Sequence, residues 1–229
     1  MMIHAAGNDE FTKLYIPTNT PHGSTTLKDH SSSNHTLTCT GSAQADASVM
    51  KFGSPTILLG AAGNTVTAPD SADWDFGTGN FVLDHQLLFT TVPSGTPDSL
   101  FENVAIFQGL GSTRWICGFD HSDVVFNAQV AGTNVAGYKA THGMSNGVMY
   151  HFAWVRSGTS FFIFKDGVAF SLTTLTAIGS NAMPNVATDP LTVGGTGLAG
   201  PTRMGHVRVS KGTDRGWTSN FTPPWNSWG

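Results

Sequence analysis

Charge is what this sequence has least of. Asp, Glu, Lys and Arg make up 11% of its 229 residues, where ~25% is usual. Glutamate occurs only twice, as Glu10 and Glu102. Long helices draw on Glu, Lys, Arg, Ala and Leu, so a coiled coil or helix bundle is excluded. There is no basic run, and the formal net charge is −4. A nucleic-acid partner therefore lacks its electrostatic footprint. No stretch approaches the ~18 consecutive apolar residues of a membrane span, so membrane insertion is not expected. The opening residues Met1–Asp9 carry neither a basic nor an apolar signal region, which predicts no secretory leader. Cys39 and Cys117 are the only cysteines, too few for a disulfide framework in a chain of this length. They read as two small buried hydrophobes, with a single bridge between them left open. Without a Cys-x-x-Cys pair, a structural zinc is not expected.

Gly (27) and Pro (11) are plentiful, and hydrophobic residues stand at 39%. That is too much and too evenly spread for disorder. The apolar residues fall in short runs cut by turn residues, such as Leu14-Tyr15-Ile16, Ile57-Leu58-Leu59 and Leu191-Thr192-Val193. The clearest strand starts at Phe81. Phe81, Leu83, His85, Leu87 and Phe89 share one face, and Val82, Asp84, Gln86 and Leu88 the other. This period-two alternation predicts one buried face and one wet or half-covered face. Two hairpins are well marked. Ser157-Gly158-Thr159 joins the Met149–Arg156 run to Phe161–Phe164, and Asp166-Gly167 turns that run into Val168-Ala169-Phe170. Asp-Gly suits a type I′ turn, which needs positive φ at both central residues. No window shows a helical period. About thirteen short strands at 8–12-residue spacing predict an all-β sandwich or barrel. No linker or repeat divides the chain, so one domain over residues 1–229 is expected.

Several segments, in order, resemble the laminin G-like, concanavalin A-like jelly-roll domains, in the variety found in bacteriophage structural proteins. They include Asn8–Leu14, Gly23–Ser32, Lys51-Phe52-Gly53, Pro69–Phe81 (the most specific), Tyr150–Gly158, Lys165-Asp166-Gly167, Pro190–Gly195, His206–Gly212 and Asn220–Pro224. The resemblance covers residues 8–224. It implies a two-sheet antiparallel jelly-roll sandwich, with a concave or rim surface for ligands and a corner that packs Trp74 and Phe76 inward. The chain departs from this family at two places. Asp84-His85-Gln86 stands where relatives carry Glu-aromatic-Trp, and Gly205-His206 where they carry an acidic pair.

Catalytic patterns are weak. Glucanases of this fold need two carboxylates across the scissile bond, and neither glutamate lies in such a pattern. Gly143-Met144-Ser145-Asn146-Gly147 spells a nucleophile elbow, but a strand follows where a helix is needed. Gly195–Gly200 spells a dinucleotide fingerprint and also lacks its helix. The nine histidines form no metal-binding spacing; His85, on an apolar face, reads as a satisfied core histidine. Asp70, Asp73 and Asp75 cluster in one turn. Calcium, which takes hard oxygen ligands, is the candidate there, against ordinary turn-forming roles. Most of the 24 aromatics must be core. Trp115, Trp217, Trp225 and Trp228 are the less obviously placed and are candidates for glycan or partner contact. The last two lie in a tail, residues 221–229, suited to docking on its own domain, on a neighbour or on a sugar.

The expectation is a non-catalytic virion surface protein of a tailed phage, a capsid decoration or tail accessory subunit, located in the virion. Its partners would be other virion proteins, further copies of itself and host surface glycan. The alternative is a carbohydrate-binding adhesin, such as the receptor-binding domain of a tail fibre.

Overall fold

The structure is a computed structural model that describes residues 8–17, 19–51, 54–60, 63–96, 103–195 and 202–223. In chain order its strands are β1 (Thr12–Ile16), β2 (Thr38–Thr40), β3 (Gln44–Lys51), β4 (Ser54–Leu58), β5 (Thr65–Ala68), β6 (Phe81–Phe89), β7 (Asn103–Gln108) and β8 (Arg114–Asp120). There follow β9 (Asp123–Val130), β10 (Thr133–Thr141), β11 (Met149–Ser157), β12 (Ser160–Lys165), β13 (Val168–Ala169), β14 (Thr173–Thr176), β15 (Leu191–Gly194) and β16 (Thr202–Lys211). One 3-10 turn, Ala72–Trp74, is capped by the Ser71 side chain. Among the described residues no helix is long and apolar enough to cross a membrane.

The strands form two antiparallel sheets of eight. The first runs β13-β12-β11-β6-β16-β4-β3, with β1 also paired to β16. β16 is long enough to serve two partners on one edge: Arg203 and Met204 pair with β4, and Val207 to Ser210 with β1. The second sheet runs β14-β10-β9-β8-β7-β15-β5-β2. The fold is thus the all-β, two-sheet antiparallel sandwich that the resemblance implies, one of the two architectures that the strand spacing leaves open.

Alternation places the core between the sheets. Phe81, Leu83, Leu87 and Phe89 of β6 meet Trp115, Cys117, Phe119 and Phe126 of the other sheet in one buried cluster. Trp74 and Phe76 join it from their corner, as the resemblance implies. The Asp166-Gly167 turn has the expected positive φ at both residues, 51° and 76°.

Two expectations need correction. β3, β10 and β14 have no counterpart among the predicted strands. β10 reads Thr-Asn-Val-Ala-Gly-Tyr-Lys-Ala-Thr, with small residues and a register shift between Asn134 and Ala136 that blur its alternation. The second face of β6 is not wet, since all nine of its residues are buried. The chain after β16 returns across that face, and Trp217 and Phe221 pack with Val82, Ala153, Val155 and Phe164 into a second apolar cluster. Both cysteines are free, in keeping with the reading of two small hydrophobes, with Cys117 buried and Cys39 only half-buried. They sit on β8 and β2, with β7, β15 and β5 between them. At strand spacing that is ~19 Å, beyond the reach of a disulfide.

Candidate functional site

The two departures from the family pattern face each other. β6 and β16 are neighbours, with Gly205 opposite Gln86 and Arg208 opposite Asp84. A bulge between these pairs holds His206 at φ 47°. Its Nδ1 lies 3.2 Å from the Tyr15 hydroxyl. Arg208 donates to both Asp84 oxygens, from Nε at 2.8 Å and from a terminal nitrogen at 2.9 Å. His151 Nε2 lies 3.2 Å from Asp84 Oδ2. Trp217 covers the group: its ring centroid is 5.5 Å from the Arg208 guanidinium carbon, and it stacks on Phe221 at 4.1 Å.

Burial sets the electrostatics of this patch. It would raise the Asp84 carboxyl, but Arg208 and His151 outweigh it and hold the carboxyl down to about 2. Burial pushes the His206 imidazole down to about 4, and the Tyr15 hydroxyl up to about 12. Every group is buried, so no substrate reaches them. The patch anchors the C-terminal segment to the sheet.

An accessible site lies at one end of the sandwich, where three loops converge. They are the β6–β7 loop, the β8–β9 turn and the β10–β11 loop. Buried His142 ties them together. Its Nδ1 accepts from Met144 N at 3.1 Å, which leaves Nε2 as the donor to His121 O (3.1 Å) and Pro93 O (3.2 Å). Burial lowers its pKa, so the ring is neutral at pH 7 and serves as a fixed brace. Asn146 accepts from Val92 N at 2.7 Å, and the Ser122 hydroxyl donates to Gly95 O at 3.0 Å. Gly95, at φ 121°, packs so tightly that a Cβ there would lie 2.8 Å from the His121 ring. Lys165 reaches across from β12 and donates to the carbonyls of His142 and Gly143 at 2.7 and 2.9 Å.

The braced loops enclose a cleft of about 390 Å³, within the range of small-ligand sites. Hydroxyls of Thr91, Ser94, Ser122 and Thr141 line it, along with the apolar side chains of Val92, Pro93 and Met144. Hydroxyls both donate and accept, and the apolar patch offers a face for C–H groups. The arrangement can hold a small polyhydroxylated molecule in a fixed pose. Two hollows of about 320 and 410 Å³ flank Thr26–Lys28. Asp29 organises that region, accepting from the backbone N–H groups of Tyr15, Ser31 and His35.

The sequence-predicted residues are dispersed. Trp115 is fully buried, and its Nε1 donates to Gln108 Oε1 at 3.2 Å. It cannot stack on a sugar without unfolding. Trp217 is buried on the outer sheet face; Trp225 and Trp228 lie outside the described residues. Asp70 accepts from Gln108 and from Thr188 N, Asp73 lies 3.0 Å from His35 Nε2, and Asp75 accepts from Asn185. Their carboxylates point to different partners. Among the described residues no three His, Cys, Asp or Glu side chains converge as a metal site. In the sequence Val92–Ser99 reads as one of several rich loops, candidates for insertions, contacts or a binding rim, and Gly143–Gly147 as an ordinary glycine-rich turn. No local signal links them, because the bonds between the two loops span 49 and 54 residues.

No protein-family model matches the chain, and no curated protein does. Solved structures match it in fold. The binding domain of Paraclostridial Mosquitocidal Protein 1 aligns with a TM-score of 0.62 at 12% identity, over 88% of this chain and 49% of that one. The binding domain of botulinum neurotoxin DC, in complex with SialylT, aligns with 0.63 at 12%, over 90% and 49%. Botulinum neurotoxin type C, whose cell entry depends on interaction with two ganglioside molecules, aligns with 0.63 at 12%, over 91% and 50%. The chain spans about half the length of these neighbours. Identity this low shows the shared concanavalin A-like sandwich alone. The neighbours lend no support to a phage origin.

Proposed function

We propose that this chain is a non-catalytic recognition module that binds carbohydrate in the cleft at the end of the sandwich. The observation that carries the reading is the cleft itself: three loops braced by one neutral imidazole, lined by hydroxyls beside an apolar patch. Preorganisation of this kind lowers the entropy lost on binding. No carboxylate lines the cleft among the described residues, so glycoside hydrolysis lacks its acid and base there. The likeness to toxin binding domains, two of which meet gangliosides or SialylT, supports the adhesin reading over the virion-subunit reading. The latter rests on the sequence resemblance alone. The test is a glycan array followed by saccharide titration. Saturable binding without turnover is expected, and no binding of any saccharide at millimolar concentration would overturn the reading.

A further inference from the structure

We infer that the cleft takes an uncharged sugar residue and discriminates against sialylated and other anionic glycans. This inference rests on the carbohydrate-binding reading of the same cleft and adds the ligand class. It starts from the charges of the three loops. The described loop residues 90–96, 121–122 and 142–148 contain no Lys or Arg. An anionic sugar is held by a free cation or by a charge-assisted donor, and the lining offers neither among the described residues.

The two nearby lysines are already engaged. Lys165 donates to two loop carbonyls, and its ammonium sits 5.2 Å from the Tyr150 ring centroid. Lys139 is paired with Asp123 at 3.0 Å. His121 is paired with Asp120, also at 3.0 Å. Asp120 and Asp123 face each other across the β8–β9 pairing, so these two pairs hold the Lys139 and His121 side chains to the turn beside the cleft. His142 is neutral because its Nδ1 accepts a backbone N–H. A carboxylate entering here finds no unspent base among the described residues and approaches a chain of net charge −4, which weakens its binding.

A neutral pyranose suits what is present. Its hydroxyls can exchange hydrogen bonds with Thr91, Ser94, Ser122 and Thr141. Its C–H face can lie on Met144 and Val92, where apolar area leaves water.

The experiment is calorimetric titration of the full chain with two oligosaccharides of one core, with and without terminal sialic acid, at low and physiological salt. The asialo form is expected to bind, and the sialylated form to bind at least about tenfold more weakly. That gap should narrow as salt rises. Thr91→Trp and Ser94→Phe, both at exposed positions, are expected to abolish asialo binding with an unchanged circular dichroism spectrum. Equal or tighter binding of the sialylated form overturns the inference and leaves carbohydrate binding standing. Loss of that binding in Lys28→Ala would place it in the Thr26–Lys28 hollows. Asialo binding that survives both cleft variants also overturns the inference. Binding of neither sugar, nor of any saccharide on the array, overturns the carbohydrate reading itself.

Discussion

Asp84 and His85 are neighbours on β6, and the alternation of the strand sends their side chains to different faces. Asp84 points outward and is fully engaged, with two bonds from Arg208 and a contact to His151 under the Trp217 ring. His85 points between the sheets. Its ring lies 5.3 Å from that of Trp154, and neither of its nitrogens has a hydrogen-bond partner among the described residues. This contradicts the satisfied core histidine that the sequence suggests. The two faces show how a buried polar group survives. A carboxylate cannot shed its charge at neutral pH without loss, so it persists only with partners in place. An imidazole can give up its proton, and burial pushes His85 down to about 3, so it sits neutral at a smaller penalty.

The largest effect should come from breaking the paired face. Asp84→Ala leaves the Arg208 guanidinium buried without its counter-ion and is expected to cost about 3–5 kcal/mol. Denaturant titration measures it. The double variant Asp84→Leu with Arg208→Met should recover most of the loss; no recovery would mean that the pair contributes more than mutual neutralisation. Removing the lid comes next. Trp217→Ala is expected to cost about 3 kcal/mol and to expose His151 and Arg208 to solvent, which amide exchange along β11 and β16 would report.

The unpaired face should respond in the opposite sense. His85→Leu replaces an unsatisfied ring with an apolar side chain, and a gain of about 1–2 kcal/mol is expected at pH 7. A loss instead would reveal a partner for the ring. Acid titration sharpens the contrast further. His85, His206 and His142 all titrate in the fold below the ordinary 6.5, so the unfolded chain takes up their protons first. Stability should be full above pH 6.5 and should fall as pH drops from there toward 4. Asp84, held near 2 from an ordinary 3.8, adds a further loss only below about pH 4. His85→Leu should flatten the first limb and leave the second; an unchanged first limb would exclude His85 as its source. The smallest effect belongs to the end of the sandwich. Thr91→Trp and Ser94→Phe should change stability by less than about 0.5 kcal/mol, as a thermal melt would show.

Legibility followed distance along the chain. The faces of β6 and the Asp166-Gly167 turn depend on residues one or two apart, and both were readable. The face that becomes covered was not, because its cover, Trp217 and Phe221, arrives from the far end of the chain. Phe221 N donates to Gly167 O at 2.9 Å, and a Cβ on Gly167 would collide with the Phe221 carbonyl. The Asp-Gly pair therefore makes the hairpin and also seats the C-terminal segment, and only its first role shows in a local pattern. The calcium reading of Asp70, Asp73 and Asp75 failed to find convergence for a similar reason. Closeness in sequence did not decide which distant donors, Gln108, His35 and Asn185, would claim each carboxylate.

By itself, then, the sequence determined the class of structure. Scarce charge, absent helical period, alternating apolar residues and glycine-rich turns leave an all-β sandwich or barrel, since each acts through backbone geometry within a few residues. Tertiary structure alone decided the rest. It set Arg208 against Asp84 across 124 residues of chain, drew a tail over a face that alternation left open, and gathered three loops around His142 into a cleft. Those outcomes depend on which strands become neighbours, and strand order comes from packing two sheets on one core, which no short stretch of sequence encodes.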